Sequence, residues 1–171
     1  MTGVGGDGFV LYAPGGQAPV ALNGSGRAPR RLTLESLGGV AAIADDSPHA
    51  VTIPGVVAAW AALAERFGKL GLDACLQPAI RLAREGWRVH PRVAADWAAA
   101  RARLARGPGR DMLLKDGAAP GVGDRFESPA LAGTLESIAR EGESGFYEGA
   151  VAMAMTARLT SLGGVHTVDD F

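Results

Sequence analysis

The feature that most constrains the fold is a glycine-rich segment near the start of the chain, GVGGDGF, which covers residues 3–9. Four of these seven residues are glycine, which can adopt positive φ angles and admits neighbouring backbone where a Cβ atom would clash. The segment runs directly into Phe9–Tyr12, a short apolar and aromatic run that is typical of a strand. Pro14-Gly15-Gly16 signals a turn, so we predict a β-hairpin whose returning strand covers residues 18–22.

Beyond the hairpin the apolar residues recur at helical spacing, and no β-α-β alternation is present. A first helix is predicted over residues 56–67, where Gly68 ends it. Because a proline inside a helix costs about 3 kcal/mol, we predict that a second helix ends at Leu76 and that a new one begins at Pro78. Three more helices are predicted to follow His90-Pro91, Ser128-Pro129 and Gly149, with Leu131 among the inward residues. The pattern predicts an α+β fold, with an N-terminal hairpin followed mostly by helices.

The composition excludes several classes of function. A net charge of −1 at pH 7 gives no electrostatic basis for binding nucleic acid or an anionic membrane. No apolar run approaches the roughly 20 residues that a membrane span needs. No signal-peptide pattern opens the sequence, and the compartment, cytoplasmic or periplasmic, stays open.

No metal ion or other cofactor is predicted. The three histidines, His49, His90 and His166, are scattered and lack the spacing of a metal site. A single cysteine, Cys75, excludes an intrachain disulfide, and its place in the apolar pattern predicts a buried structural thiol.

Two motifs invite functional readings that their context does not support. Residues 3–8 match G-x-G-x-x-G, but the dinucleotide motif needs a strand before it and a helix after it, whereas here a strand follows. Within this run we expect Asp7 to hydrogen-bond turn amides rather than perform chemistry. Residues 81–110 carry eight arginines, which we interpret as the solvated faces of amphipathic helices rather than a nucleic-acid surface.

Five further segments carry a family resemblance, and they occur in the family's order: LNGSGRAP at 22–29, VTIPGVVAAW at 51–60, LQPAIRLAREGWRVHPR at 76–92, GDRFESPALAGTLESIAREGESGFYEG at 123–149 and GGVHTVDDF at 163–171. Together with GVGGDGF, they resemble the N-terminal region of the large subunit in the γ-glutamyltransferase (γ-glutamyl transpeptidase) family. The resemblance implies part of a four-layer αββα sandwich of the N-terminal-nucleophile hydrolase type, with residues 1–171 as a single incomplete domain. It also implies that the catalytic threonine begins a small subunit from the same precursor, so no catalytic residue is expected in this chain.

The loop after the hairpin departs from the family pattern. There the family typically shows an aspartate, then Arg-Glu, then Ala-Pro, and the arginine holds the α-carboxylate of the γ-glutamyl group. Alignment on Ala28-Pro29 puts Ser25 at the arginine position and Arg27 two residues later, on the same face of an extended segment. We therefore predict that Asn23, Ser25 and Arg27 bind substrate. Arg27 either holds that carboxylate or forms a surface ion pair.

Three functions are compatible with these observations. The first is a γ-glutamyltransferase-like enzyme that transfers or hydrolyses γ-glutamyl amides of the glutathione type. This chain would be a fragment of that enzyme and would be inactive by itself. The second is a divergent amidase or acylase of the same family without γ-glutamyl specificity. The third is a non-catalytic helical interaction module, against which the hairpin argues, because two strands without partners are marginally stable.

Overall fold

The computed structural model describes residues 3–171. In chain order the strands and helices are β1 Gly8–Tyr12, β2 Val20–Gly24, α1 Val56–Phe67, α2 Leu72–Glu85, β3 Trp87–Arg88, α3 Pro91–Arg106, α4 Arg110–Leu113, β4 Arg125–Phe126, α5 Pro129–Glu141, α6 Ser144–Tyr147 and α7 Gly149–Ser161. Short 3₁₀ turns occur at Pro48–Ala50 and Val168–Asp170. The predicted α+β class, a hairpin followed mostly by helices, is confirmed.

The described residues form two compact units, and each is considered by itself. One unit comprises the residues up to Cys75 together with Ser137–Phe171, and the other comprises Leu76–Glu136. The organisation of residues 1–171 as a single incomplete domain stays a prediction.

The hairpin is antiparallel and joins β1 to β2. Tyr12 pairs with Val20 and Gly8 pairs with Gly24, so the returning strand begins two residues later than predicted. Pro19 lacks the N–H group that a ladder position requires, which is consistent with a strand that begins only at Val20. Phe9 and Leu11 point away from the packed face and are 71% and 74% exposed, which leaves the outer face of the hairpin uncovered within this unit.

Helix α1 packs on the inner face of the hairpin, with the limits that the sequence predicts. Val57 is fully buried, and the N–H of Val56 donates a hydrogen bond to Gly6 O at 3.1 Å. The two glycines at the end of the strand pair permit the close approach, since a Cβ on Gly8 would lie 3.2 Å from Val56 Cγ2 and one on Gly24 would lie 2.7 Å from Ala59 Cβ. Within the glycine-rich segment, Gly8 is therefore the residue whose missing side chain lets α1 pack closely on the hairpin.

Helix α2 runs unbroken through Pro78, so the predicted pair of helices is wrong. Pro78 and Ala74 are both exposed, and water can reach the Ala74 carbonyl that lacks its helical donor. The predicted burial of Cys75 is also wrong, because the thiol is exposed. The buried residues of this helix are Leu76, Ile80 and Ala83, so the inward face begins one residue after Cys75.

The unit Leu76–Glu136 is held by a small sheet and an aromatic cluster. Strand β3 pairs with β4, and the Phe126 ring lies edge-on to Trp87 and Trp97, with centroids 6.2 Å and 4.7 Å away. Helix α3 is capped by His90, whose Nδ1 atom accepts a hydrogen bond from the Arg92 N–H. The predicted burial of Leu131 in α5 is wrong: Leu131 is 38% exposed, and Ala132, the next residue along the helix, is buried in its place.

The last turn of the chain is tied to the segment that follows the hairpin. Asp170 and Thr167 form a capping box, and Asp170 Oδ1 also accepts a hydrogen bond from the Arg30 N–H at 3.0 Å. Burial alone raises the pKa of Asp170, but hydrogen bonds from Arg30 and Thr167 and the Arg30 charge outweigh it, so this pKa lies below its ordinary value. Asp170 is therefore a carboxylate at neutral pH.

Candidate functional site

A cavity of about 570 Å³ lies between the end of the hairpin, the start of α1 and helix α6, all in one compact unit. The three predicted binding residues, Asn23, Ser25 and Arg27, all lie in the wall of this cavity. The full lining consists of Leu22, Asn23, Gly24, Ser25, Gly26, Arg27, Ile53, Pro54, Gly55, Ala58, Ala59, Ala62, Glu143, Tyr147 and Phe171.

Three hydrogen bonds fix the loop Asn23–Arg27, which we call the site loop. The Ser25 N–H donates to Asn23 Oδ1 at 2.9 Å, which closes a tight turn within the loop. The Gly26 N–H donates to Asp7 Oδ1 at 2.8 Å, and the carbonyl of Arg27 accepts from the Ile53 N–H at 2.8 Å. Asp7 therefore binds a loop amide, as predicted, and it connects the glycine-rich segment to the site.

Two glycines bring the site loop and the segment before α1 into direct backbone contact. A Cβ atom on Gly26 would overlap the carbonyl oxygen of Ile53, and one on Gly55 would overlap the carbonyl oxygen of Gly24. No side chain separates the two segments at these points. The position of the site loop is therefore set by backbone contact with residues 53–55.

Tyr147 also lines the cavity and links two of the segments around it. Its hydroxyl donates to the Pro54 carbonyl at 2.7 Å and accepts from the Ala58 N–H at 3.1 Å, so it joins α6 to the first turn of α1. Loss of hydration raises the pKa of Tyr147, and the charge of Glu143 adds to this, although the amides of Ala58 and Val57 oppose it. The hydroxyl therefore keeps its proton at neutral pH and acts as a structural donor, not as a base.

Two charged side chains of opposite sign lie in the cavity wall, Arg27 and Glu143. Both are exposed, and within residues 3–171 neither forms an ion pair. The alternative in which Arg27 forms a surface ion pair therefore has no partner in the part of the chain that the structure describes. Sequence reasoning missed Glu143 and Tyr147, since nothing in GESGFYEG by itself indicates which cavity this segment borders.

The cavity wall contains no complete catalytic machinery of its own. In the described part of the chain, no serine or threonine hydroxyl is hydrogen-bonded to a histidine ring; the Nε2 atom of His166 instead lies 2.8 Å from the Val51 carbonyl. Over the same residues, no group of three or more His, Cys, Asp or Glu side chains is placed to hold a metal ion. A search of these residues also finds no helix with the length and apolar character that crossing a membrane requires.

Comparison with known proteins identifies the family of the chain. A family model described as Gamma-glutamyltranspeptidase matches residues 1–171. The chain is 36% identical to the glutathione hydrolase-like YwrD proenzyme of Bacillus subtilis over 100% of its own length, and it spans 33% of that relative. The chain thus represents about a third of the length of that relative.

Solved structures agree with the sequence match. The γ-glutamyltranspeptidase of Helicobacter pylori superposes with a TM-score of 0.90 at 30% identity, over 98% of this chain and 50% of that one. The cephalosporin acylase of Bacillus halodurans superposes with a TM-score of 0.89 at 38% identity, over 98% of this chain and 33% of that one. The fold is that of the N-terminal-nucleophile hydrolases to which these proteins belong, as predicted. The chain therefore belongs to the γ-glutamyltranspeptidase family.

Proposed function

We propose that this chain is part of an enzyme that hydrolyses or transfers the acyl group of an amide, and that the site loop binds a carboxylate of that acyl group. The observation that carries the proposal is the unpaired Arg27 in a cavity whose wall also contains Asn23 and Ser25. A guanidinium group presents two parallel N–H donors to a carboxylate and stays charged at every working pH.

The other two residues add donors at the same wall. Asn23 uses its Oδ1 atom to accept from the Ser25 N–H, which leaves the Nδ2 hydrogens available to a ligand. The Ser25 hydroxyl can also donate. Fixed donors bind an anion without reorganising, so the hydrogen bonds that hold the site loop contribute to affinity.

The nucleophile would come from a second segment of the same precursor. By family resemblance, an N-terminal threonine on a small subunit attacks the amide carbonyl through its hydroxyl oxygen, and its own α-amine accepts the proton. The α-ammonium group gives that proton to the amine nitrogen as the C–N bond breaks and the amine half leaves. The acyl group is then transferred from the threonine oxygen to water or to an amino-acid acceptor, and the threonine hydroxyl is restored. The small subunit would be the partner of this chain, with no cofactor required.

The second candidate is an acylase that does not require a γ-glutamyl group. Ser25 stands where the family places its carboxylate-binding arginine, and the chain is 38% identical to a cephalosporin acylase but 30% identical to a γ-glutamyltranspeptidase. This candidate predicts that substrates without an α-amino group are turned over as well as γ-glutamyl amides.

The test compares variants of the enzyme expressed from its full reading frame, with γ-glutamyl-p-nitroanilide and glutaryl-p-nitroanilide as substrates. If Arg27 binds the carboxylate, Arg27→Ala lowers kcat/KM by about 10- to 100-fold, because a charge-assisted contact contributes roughly 1.5–3 kcal/mol. Ser25→Arg then crowds the site without benefit.

The control is Arg31→Ala, which removes the same charge from an exposed residue that does not line the cavity. If neither Arg27→Ala nor Ser25→Arg changes kcat/KM on either substrate by more than about twofold, roughly 0.4 kcal/mol, the site loop does not bind the acyl group.

Purified residues 1–171 test the separate proposal that the nucleophile lies outside this chain. They should release no p-nitroaniline from either substrate above a mock-purified control, and turnover above that control would refute the proposal.

A further inference from the structure

We infer that Asp7 is a positioning residue, which acts on the reaction by holding the site loop and does not touch the substrate. Asp7 does not line the cavity, yet its carboxylate binds the amide of Gly26, the residue before Arg27. This inference rests on the proposed function and goes beyond it, because it makes the affinity of the cavity depend on a side chain outside the cavity, in the glycine-rich segment.

Asp7 provides one of two hydrogen bonds that hold the site loop to other segments after β2 ends at Gly24. Its Oδ1 atom accepts the Gly26 N–H at 2.8 Å, and the Ile53 N–H donates to the Arg27 carbonyl at 2.8 Å. The two bonds hold the peptide groups that precede Gly26 and follow Arg27. Without Asp7, the bond from Ile53 would be the only hydrogen bond that holds this part of the loop to another described segment.

The Asp7 side chain serves the site loop and not its own turn. An aspartate in a turn commonly accepts a hydrogen bond from an amide two or three residues away. Here the turn before Asp7 is closed by backbone alone, since the Gly6 N–H donates to the Gly3 carbonyl at 3.0 Å. Within residues 3–171, the side chain of Asp7 accepts one hydrogen bond, and its donor, Gly26, lies 19 residues further along the chain.

The backbone that carries Asp7 is fixed on both sides. The Gly6 carbonyl accepts the Val56 N–H at 3.1 Å, at the start of α1, and Gly8 pairs with Gly24 in the hairpin. Asp7 itself is half-buried. Its carboxylate is therefore a preorganised acceptor, and it constrains the loop before any ligand binds.

The position of the loop matters because a guanidinium group binds a carboxylate through two parallel N–H donors, which requires alignment. A misplacement of about 1 Å can cost on the order of 100-fold in rate. In the proposed site, Arg27 would bind the carboxylate equally before and during the reaction, so a misplaced Arg27 raises KM and leaves kcat nearly unchanged. A merely structural role has a different result, since loss of folded enzyme lowers the apparent kcat and leaves KM unchanged.

The experiment measures KM and kcat of the enzyme expressed from its full reading frame, on whichever of the two p-nitroanilides the wild type hydrolyses faster. We expect Asp7→Ala to raise KM by roughly 10- to 100-fold, with kcat within about twofold of wild type. Asp7→Asn keeps an acceptor oxygen for Gly26 and should stay within about threefold of the wild-type KM.

The matched control is Asp124→Ala. Asp124 also accepts one backbone amide, with Oδ2 2.8 Å from the Gly121 nitrogen, and it does not line the cavity. Removing it should leave KM unchanged. Should Asp7→Ala yield no soluble protein, Asp7→Glu, which moves the acceptor by one methylene group, takes its place with the same direction of change in KM.

A double-mutant cycle tests whether Asp7 acts through Arg27. If it does, adding Asp7→Ala to Arg27→Ala should change kcat/KM by less than about twofold, because residues that act as a unit are not additive. Additive losses, a lower kcat at unchanged KM, or equal losses in Asp7→Asn and Asp7→Ala overturn the inference. If Arg27→Ala alone lowers kcat/KM, the proposed function stands in each of these cases. If Arg27→Ala has no effect, the site loop does not bind the acyl group and both proposals fail.

Discussion

The wall around the site loop and the unit Leu76–Glu136 are built by different means. At the site loop, backbone lies directly on backbone, as where Gly26 meets the Ile53 carbonyl. In the other unit, side chains fill the interior, with Phe126 between two tryptophans, and charged pairs such as Arg84–Glu136 lie on the surface. Surface pairs of that kind contribute about 0–1 kcal/mol each.

The difference indicates where the structure should tolerate substitution and where it should not. A contact between two backbones has no rotamer that can adjust, so one added methyl group must displace a whole segment. A core of large side chains can repack, and solvated arginines can be exchanged at small cost. Small substitutions at the glycines that contact the site loop should therefore destabilise the protein. Large substitutions at the exposed arginines of residues 81–110, which we call the arginine-bearing surface, should be tolerated.

The largest effect is expected from Gly26→Ala in the complete enzyme. Its Cβ would overlap the Ile53 carbonyl oxygen, and we expect a loss of about 4 kcal/mol, or no soluble protein at all. Gly15→Ala is the control, because a Cβ there meets nothing within 4 Å, and it should stay within about 0.5 kcal/mol of wild type. Urea unfolding monitored by fluorescence measures both, and equal stability of the two variants would remove the distinction between the regions.

Asp170→Asn should cost about 3 kcal/mol at pH 7, since the carboxylate accepts hydrogen bonds from Arg30 and Thr167. The pKa of Asp170 is lowered in the folded state, so its contribution is fully present above the unfolded-state value of 3.8 and is lost as pH falls through the folded-state value. The gap in urea midpoint between wild type and Asp170→Asn should therefore be constant from pH 7 to 5 and shrink below pH 3.8. Asp169→Asn, its exposed neighbour, serves as the control, and a gap that widens with acid would contradict the assignment.

Tyr147→Phe should cost about 2 kcal/mol, because it leaves the Pro54 carbonyl and the Ala58 N–H without their partner. The matched change Tyr12→Phe removes a hydroxyl from a 38% exposed ring that packs on Phe67, and it should be neutral within about 0.5 kcal/mol. Thermal midpoints of the two variants give the comparison. Indistinguishable midpoints would show that the hydroxyl bridge does not stabilise the cavity wall.

The smallest effect is expected from Arg103→Gln on α3. The side chain is exposed, so stability should change by less than about 0.5 kcal/mol and kcat/KM should stay within twofold. Both are measured in the assays described above. A tenfold loss of activity would mean that the arginine-bearing surface has a function that its solvation does not suggest.

Prediction from the sequence succeeded where the determining interactions are local. The hairpin follows from Phe9–Tyr12 and the turn after it, and α1 follows from its apolar periodicity and the glycine that ends it. The errors at Cys75 and Leu131 are errors of helical phase: in each case the buried residue is the next one in the sequence. One position rotates a side chain by about 100° around the helix, and the partner that decides between them is distant in the sequence.

Only those site residues that lie close together in the sequence could be predicted from it. Asn23, Ser25 and Arg27 lie two residues apart in one loop and do line one cavity, although their role as ligands remains a prediction. Tyr147 and Glu143 could not be predicted, because their place in the wall depends on contacts such as Tyr147–Pro54, which spans 93 residues. No local pattern encodes such a pairing.

The large sequence distance between the site loop and the residues that hold its surroundings affects the order in which the site can form during synthesis. The segment 51–55, which fixes the site loop, is itself held by Tyr147 across 93 residues and by His166 across 115, and the chain after the loop is held by Asp170 across 140. A chain leaves the ribosome from its N-terminus, so the hairpin and α1 emerge long before these partners do. Closing loops of this length is slow compared with forming a hairpin or a helix. During synthesis the cavity wall therefore stays incomplete until residues 147–170 have emerged. A stop codon before Tyr147 would yield the site loop without the rest of the cavity.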